Sequence, residues 1–217
     1  METPAAKLRT GKANLRQPTQ SRSRESTEAL LEIGRRLIEQ RGIDDCSMSE
    51  VAAAAGSSVG SLYFRFGNKE RFVNEVMRRQ VDAIREDISR HLADLELKAT
   101  SPHEVIEAAT RWFVVEFGKN QGLLRALVRR ALDDPQQWQP FQKAGREFID
   151  GALRILQRFP EVQNDDEWQR RVRVAMQMIL GTLYNAVINR PGPLELTDAA
   201  GTSQELSQAA IRYLRWD

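Results

Sequence analysis

Apolar residues recur at helical spacing along nearly the whole chain, and a helical period is the primary sign of an amphipathic helix. Ala29, Leu30, Ile33, Leu37 and Ile38 repeat at three- and four-residue steps from Ser26 onward, until Gly42 stops the run. Ser47 precedes Met48 and stands three residues before Glu50, a capping-box pattern. Met48, Val51, Ala52 and Ala55 then give a short second helix one apolar face, and Gly56 ends it. A third short helix carries Leu62, Tyr63 and Phe66 before Gly67-Asn68. Lys69 to about Leu97 reads as one helix of roughly 28 residues, about 42 Å long. Further helices are predicted from Pro102 to about Gly118, from Gln121 to Leu132 (ended by Asp133-Asp134-Pro135), and from about Gln136 to Arg158, stopped near Pro160. Asp165-Asp166-Glu167 suits the positive start of a helix that runs to about Arg190. A loop follows through Pro191-Gly192-Pro193 to Thr202, and Ser203 is placed as the cap of a last helix ending near Arg215. No alternating strand pattern and no internal repeat is seen, so an all-α fold is predicted.

Composition narrows the possibilities. With 217 residues, 41% hydrophobic and 29% charged, and a mean hydropathy of −0.51, the chain is long enough to bury a sizeable core and too polar for a membrane protein. No apolar stretch of about 18 residues exists, and the N-terminus lacks the apolar segment of a secretory signal. A single cysteine, Cys46, forms no internal disulfide and fits a reducing cytoplasm. It also excludes zinc sites built on several cysteines, with only His91 and His103 left to offer imidazole. There is no Gly-rich phosphate loop, and no cofactor is called for. The net charge of +2 is too small to argue for nucleic-acid binding by the protein as a whole. Any such activity must come from a local site.

The segment IDDCSMSEVAAAAGSSVGSLYFRFGNKERF, residues 43–72, has the makings of a helix-turn-helix. Ala52 to Ala55 keep its second helix thin, and Gly56 admits the left-handed turn conformation. Leu62 and Phe66 bury the third helix, leaving its other face and N-terminal end free to enter a major groove. This segment resembles the TetR family of tetracycline-repressor-like bacterial regulators. The resemblance rests on Ser47, Val51-Ala52, Ala55-Gly56, Gly60-Ser61-Leu62-Tyr63, Phe66 and Lys69, and covers about residues 26–75. Two positions depart from the pattern. Ser57 stands where valine is usual after the turn, and Arg65 where histidine is common.

The resemblance implies that Ser47, Tyr63 and Lys69 meet phosphates, which fix position without reading sequence. It implies base readout by Ser49, Ser58, Val59, Ser61, Phe64 and Arg65, with Gly60 letting the backbone approach DNA. Plainer readings stand beside these. Val59 can be core, Phe64 can cluster with Tyr63 and Phe66, and Arg65 can pair with a nearby acid. Residues 1–24 hold Lys7, Arg9, Lys12, Arg16, Arg22 and Arg24 against Glu2. They read as a disordered basic arm, either simply solvated or following DNA phosphates.

The predicted organisation is therefore an arm (1–24), a DNA-binding unit (25–72) and an effector-binding and dimerisation unit (73–217). Bulky residues in the last unit are ordinary core material. By resemblance they also enclose a site for a small-molecule effector, with Trp112, Phe113, Phe148, Met176 and Met178 as candidate lining. Arg111 and Arg125, if buried there, favour an anionic effector. The last two helices carry Met178, Ile179, Leu183, Val187, Leu206, Ala210, Ile211 and Leu214, with Gly181 and Ala186 allowing close approach. In the family these helices pair as a homodimer, which would set two recognition helices about 34 Å apart on a pseudopalindromic double-stranded operator. The implied function is repression relieved by the effector.

Two rival classes stand beside this reading. An enzyme would need a constellation that the paired acids Asp44-Asp45, Asp133-Asp134 and Asp165-Asp166 do not supply, since each sits at a helix end where capping explains it. Cys46 has no histidine near it in sequence. A helix-turn-helix protein governed by a protein partner instead of a ligand would show a filled core and an exposed apolar patch.

Overall fold

The computed structural model describes residues 19–162 and 165–215, with side chains from Ser23 onward. Within them lie nine α-helices and no strand: α1 (Thr19–Arg41), α2 (Met48–Ala54), α3 (Val59–Phe66), α4 (Lys69–Lys98), α5 (Pro102–Lys119), α6 (Gln121–Asp133), α7 (Gln139–Leu156), α8 (Asp166–Ile188) and α9 (Ala199–Leu214). A 3-10 turn, Pro135–Trp138, leads into α7. The all-α expectation holds. Among the described residues no helix is long and apolar enough to cross a membrane, and no group of side chains could hold a metal ion. Most of the expected basic arm lies outside the described residues.

Three boundaries differ from the expectation. The first helix begins at Thr19 and not at Ser26, so the last six residues assigned to the arm are helical. Its opening turns are polar, and Ser23 to Ser26 are exposed, so no apolar period marks them. The last helix is capped by Asp198, whose carboxylate accepts from the Gly201 N–H at 2.9 Å. Ser203, expected as the cap, is buried one turn inside, where its hydroxyl donates to the Ala200 carbonyl. Finally, the run from Gln136 is divided, because Pro135 starts a 3-10 turn before α7 begins.

Local chemistry sets the short helices. The Ser47 hydroxyl accepts from the Glu50 N–H, and the Glu50 carboxylate accepts from the Ser47 N–H at 3.2 Å, completing the capping box. Gly56, at φ +60°, makes the turn into α3. Ser58 caps α3 by accepting from the Ser61 N–H at 3.2 Å, and Asn68 caps α4 by accepting from the Arg71 N–H at 2.8 Å.

Two hydrophobic clusters form. The first joins Leu30, Ile38, Met48, Val51, Leu62, Phe72, Val73, Val76 and Met77 with Leu123 and Ala126 of α6. The second runs from Ile88 through α5, α7, α8 and α9. The first core thus continues along α4 past the expected division at residues 72 and 73. Two helices, α4 and α6, contribute to both clusters.

The seating of α6 has an unusual source. Its own cap residue, Asn120, makes no side-chain cap bond. The Glu39 carboxylate of α1 takes over, accepting from Gly122 N–H at 2.8 Å and Leu123 N–H at 2.7 Å. This satisfies otherwise unpaired donors at the positive end of the helix.

Candidate nucleic-acid interface

The geometry of α3 follows from one buried anchor. Leu62 is fully buried against the first core, and Arg65 and Phe66, three and four residues on, turn to the same side. Phe66 meets Phe72 edge-on with ring centroids 5.0 Å apart. The opposite face therefore points to solvent. Val59 is 38% exposed, Tyr63 47% and Phe64 95%. A side chain added at Gly60 would meet nothing within 4 Å. Val59 is thus not core and Phe64 belongs to no aromatic cluster. Ser58 and Ser49 are exposed, and Ser61 is half-buried.

Arg65 is placed differently from the expectation. Its guanidinium turns back onto α1 and donates to the Thr27 hydroxyl at 2.8 Å, the Ser26 hydroxyl at 3.3 Å and the Ser23 carbonyl at 3.5 Å. It neither reaches outward to a base nor pairs with an acid. The cause is its register beside Leu62, on the side that α1 covers. Arg65 thus braces α3 against the opening turns of α1. Replacing it with alanine is expected to weaken DNA binding several-fold on all sequences alike. Binding-site selection with wild type and variant checks this: loss of preference at one base position would return Arg65 to a reading role.

Of the three predicted phosphate-contacting groups, Tyr63 is exposed on α3, and Ser47 and Lys69 are half-buried. Lys69 Nζ donates to the Asp44 carbonyl at 3.0 Å, keeping two donors in hand. The Ser47 hydroxyl lies 3.1 Å from that of Ser49 and 2.8 Å from a Glu50 carboxylate oxygen. Bonds from the Ser47 hydroxyl and backbone hold the Glu50 carboxyl below the ordinary carboxylate range. Arg41 closes on the same carboxylate at 2.9 Å.

The second candidate site is only partly as expected. Trp112 and Phe113 do line an apolar cavity of about 80 Å³, together with Ile84, Ile88, Phe117, Phe141 and Tyr184. Phe148 and Met176 do not. Both are fully buried core residues, and Phe148 packs 4.4 Å from Phe113 and 5.0 Å from Trp112 between ring centroids. Met178 is 50% exposed, because the inward face of α8 is set by Val172, Ala175, Met176, Ile179 and Leu183 and places Met178 on the other side. Arg111 lines an open groove between α4 and α5, and Arg125 a separate recess between α1 and α6, so neither enters the cavity.

The expected dimer seam shifts by the same argument. Ile179, Leu183, Ala186, Val187, Ala210 and Leu214 are buried within the protomer. The free face of α8 presents Met178, Gly181, Asn185 and Ile188, and that of α9 presents Gln204, Gln208 and Arg212. Two of the paired acids and the cysteine have structural explanations. Asp165 caps α8 by accepting from Trp168 N–H, and Asp134 accepts from Gln136 N–H. Cys46 is buried, which pushes its thiol pKa up and away from nucleophile chemistry.

Comparison with known proteins agrees with this geometry. The "HTH-type transcriptional repressor KstR2" of Rhodococcus jostii is 36% identical over 98 residues, covering 42% of this chain and 48% of that protein. The "HTH-type transcriptional regulator AcrR" of Shigella flexneri is 31% identical over 58 residues, 27% of each chain. The chain thus matches at most about half the length of these two relatives. A crystal structure of a TetR-family transcriptional regulator from Mesorhizobium loti shares the fold over 88% of this chain and 97% of its own, with a TM-score of 0.71 and 18% identity. The model of "Bacterial regulatory proteins, tetR family" matches residues 30–76, from α1 through α2 and α3 into α4. Residues 30–76, which build the exposed α3 face, thus match the tetR family of bacterial regulatory proteins, and the chain shares its fold with a solved TetR-family structure.

Proposed function

We propose that this protein is a homodimeric, sequence-specific DNA-binding repressor released from a pseudopalindromic operator by a small molecule. The observation that carries this reading is the solvent face of α3. A short helix anchored by Leu62 displays Val59, Tyr63 and Phe64 to water, an arrangement that is costly for solubility and suited to a major groove. Ser47 and Tyr63 with Lys69 are the proposed phosphate contacts, and Ser49, Ser58, Val59, Ser61 and Phe64 the proposed readers. Gly60 supplies the close backbone approach.

Dimerisation follows from the size of the site, because one short helix spans too few base pairs to specify an operator. The exposed α8 face with Met178, Gly181 and Ile188 is the surface suited to pair two copies. The aromatic cavity between α4, α5, α7 and α8 is suited to an effector. Because α4 and α6 belong to both cores, a ligand that favours one arrangement of the second core would shift the seating of the first.

Fluorescence anisotropy on an operator selected from random duplexes tests the proposal. Wild-type protein should bind its selected site with strong salt dependence. Lys69→Ala should weaken binding to every duplex and lower the slope of log K against log salt by about one. An unchanged slope would remove Lys69 from the phosphate contacts, and failure to select any duplex would remove the function.

A further inference from the structure

The cavity in the second core has a chemical character that narrows what it can hold. Its lining includes five aromatic residues, Trp112, Phe113, Phe117, Phe141 and Tyr184, among which two pairs pack edge-on. Phe117 meets Tyr184 edge-on at 4.8 Å between centroids, and Trp112 meets Phe113 edge-on at 5.2 Å. An aromatic guest finds complementary quadrupoles in such a box. Among the residues lining it none is basic, and Glu116 is the one charged group, with Asn120 beside it at the α5 end. The Glu116 carboxylate accepts from Lys119 Nζ at 3.0 Å through one oxygen, and from the Asn120 side chain at 3.4 Å through the other. The second bond is long, which leaves that oxygen with acceptor capacity. Burial pushes the Tyr184 phenol up to about 12, so it adds no negative charge of its own.

The volume also carries information. About 80 Å³ falls below the roughly 300–1,000 Å³ of ordinary ligand pockets and below the roughly 150 Å³ apolar cavity that accepts benzene. A guest must therefore displace a wall. Trp112 lines both this cavity and the open groove of about 800 Å³ between α4 and α5. Trp138, half-buried on the 3-10 turn, leans edge-on against Tyr184 at 5.2 Å. Gly145 lines the space, and a Cβ there meets nothing within 4 Å.

We propose that this cavity binds a one- or two-ring aromatic compound that carries an N–H or O–H donor directed at Glu116 and bears no negative charge. A carboxylate or phosphate on the guest would meet Glu116, whose one paired cation, Lys119, lies outside the lining, so no basic group in the cavity receives the added charge. The inference rests on the effector reading above and specifies the class of the effector.

Isothermal titration calorimetry on the full chain without DNA tests it, with indole, naphthalene and indole-3-carboxylate as probes. Indole should bind at least tenfold more tightly than indole-3-carboxylate and measurably more tightly than naphthalene. Gly145→Leu and Leu180→Phe, which fill the cavity from two sides, should each weaken indole binding at least tenfold with the melting temperature retained. Glu116→Gln should erase most of the discrimination against the acid. Absence of indole binding up to millimolar concentration, equal binding of the acid, or full binding by both filled variants would overturn the proposal. Because no DNA is in the cell, loss of the operator reading would leave these results untouched. Release of the operator by some other compound, with indole inert, would remove this ligand class and keep the effector reading.

Discussion

Alanine at position 122 is expected to destabilise the protein by about 3 kcal/mol or more, a fall in melting temperature of roughly 6–12 °C. A Cβ on Gly122 would lie 1.8 Å from the Glu39 carbonyl oxygen and 2.7 Å from its carbon. Neither is a flexible side-chain end that could swing aside. The helices α1 and α6 would have to part, and parting them breaks the two bonds from Glu39 to the N-terminus of α6. Hydrogen bonds to a charged group contribute about 1.5–3 kcal/mol each, and forced overpacking costs about 1–3 kcal/mol. Gly145→Ala is the matched control. Its Cβ has open space, and alanine is favoured over glycine in a helix by about 1 kcal/mol, so stability should hold or rise. Differential scanning calorimetry of the two variants decides the matter. A Gly122→Ala protein within about 0.5 kcal/mol of wild type would show that α1 and α6 are not packed as described.

Phe148→Ala is the second large effect, expected at about 3–5 kcal/mol. The ring is fully buried where α7 meets α4 and α5, with Phe113, Trp112 and His91 around it at centroid distances of 4.4, 5.0 and 6.0 Å. Its removal leaves a void beside Trp112, a wall of the aromatic cavity. Urea denaturation followed by tryptophan fluorescence should show an earlier midpoint. A change below about 1 kcal/mol would mean that the ring is not a core element.

The contrast between the two cores explains what a single sequence discloses. The helix-turn-helix was legible because each decision in it is local. The capping box spans Ser47 to Glu50, Gly56 takes its positive φ, and Leu62 fixes which side of α3 is buried. The exposure of Val59 and Phe64 follows once Leu62 is placed. Arg65 was not legible, since its partners Ser23, Ser26 and Thr27 are brought to it by the packing of α1. The same holds for Met176 and Met178. Helical period puts them on different sides of α8, but only the positions of α5 and α9 decide which side is inward. The Glu39 clamp lies furthest from any sequence signal. Its partners are 83 and 84 residues away, and glycine at 122 has no local pattern to mark it. The polar opening of α1 escaped for the opposite reason: it buries nothing that a hydrophobic period could record.

Coupling between the cores gives the Glu39 clamp and the long α4 helix a shared consequence. An effector that moves α6 relative to α1 has to stretch two short charge-assisted bonds, and α6 also holds Asn74 of α4 through Arg130 at 2.7 Å. On the proposed effector mechanism, movement in the second core would be passed to the base of the helix-turn-helix through these hydrogen bonds as well as through apolar contact.

The central claim is that the solvent face of α3 is the DNA-reading surface. Its most direct test is anisotropy titration of the selected duplex with Tyr63→Ala/Phe64→Ala protein, with Leu97→Ala as the control, since Leu97 is a similarly exposed residue at the far end of α4. Both variants should fold like wild type, because Phe64 and Leu97 are largely in water and Tyr63 is about half exposed. The double variant should lose at least a hundredfold in affinity for the selected site while Leu97→Ala binds unchanged. Wild-type affinity in the folded double variant would contradict the account.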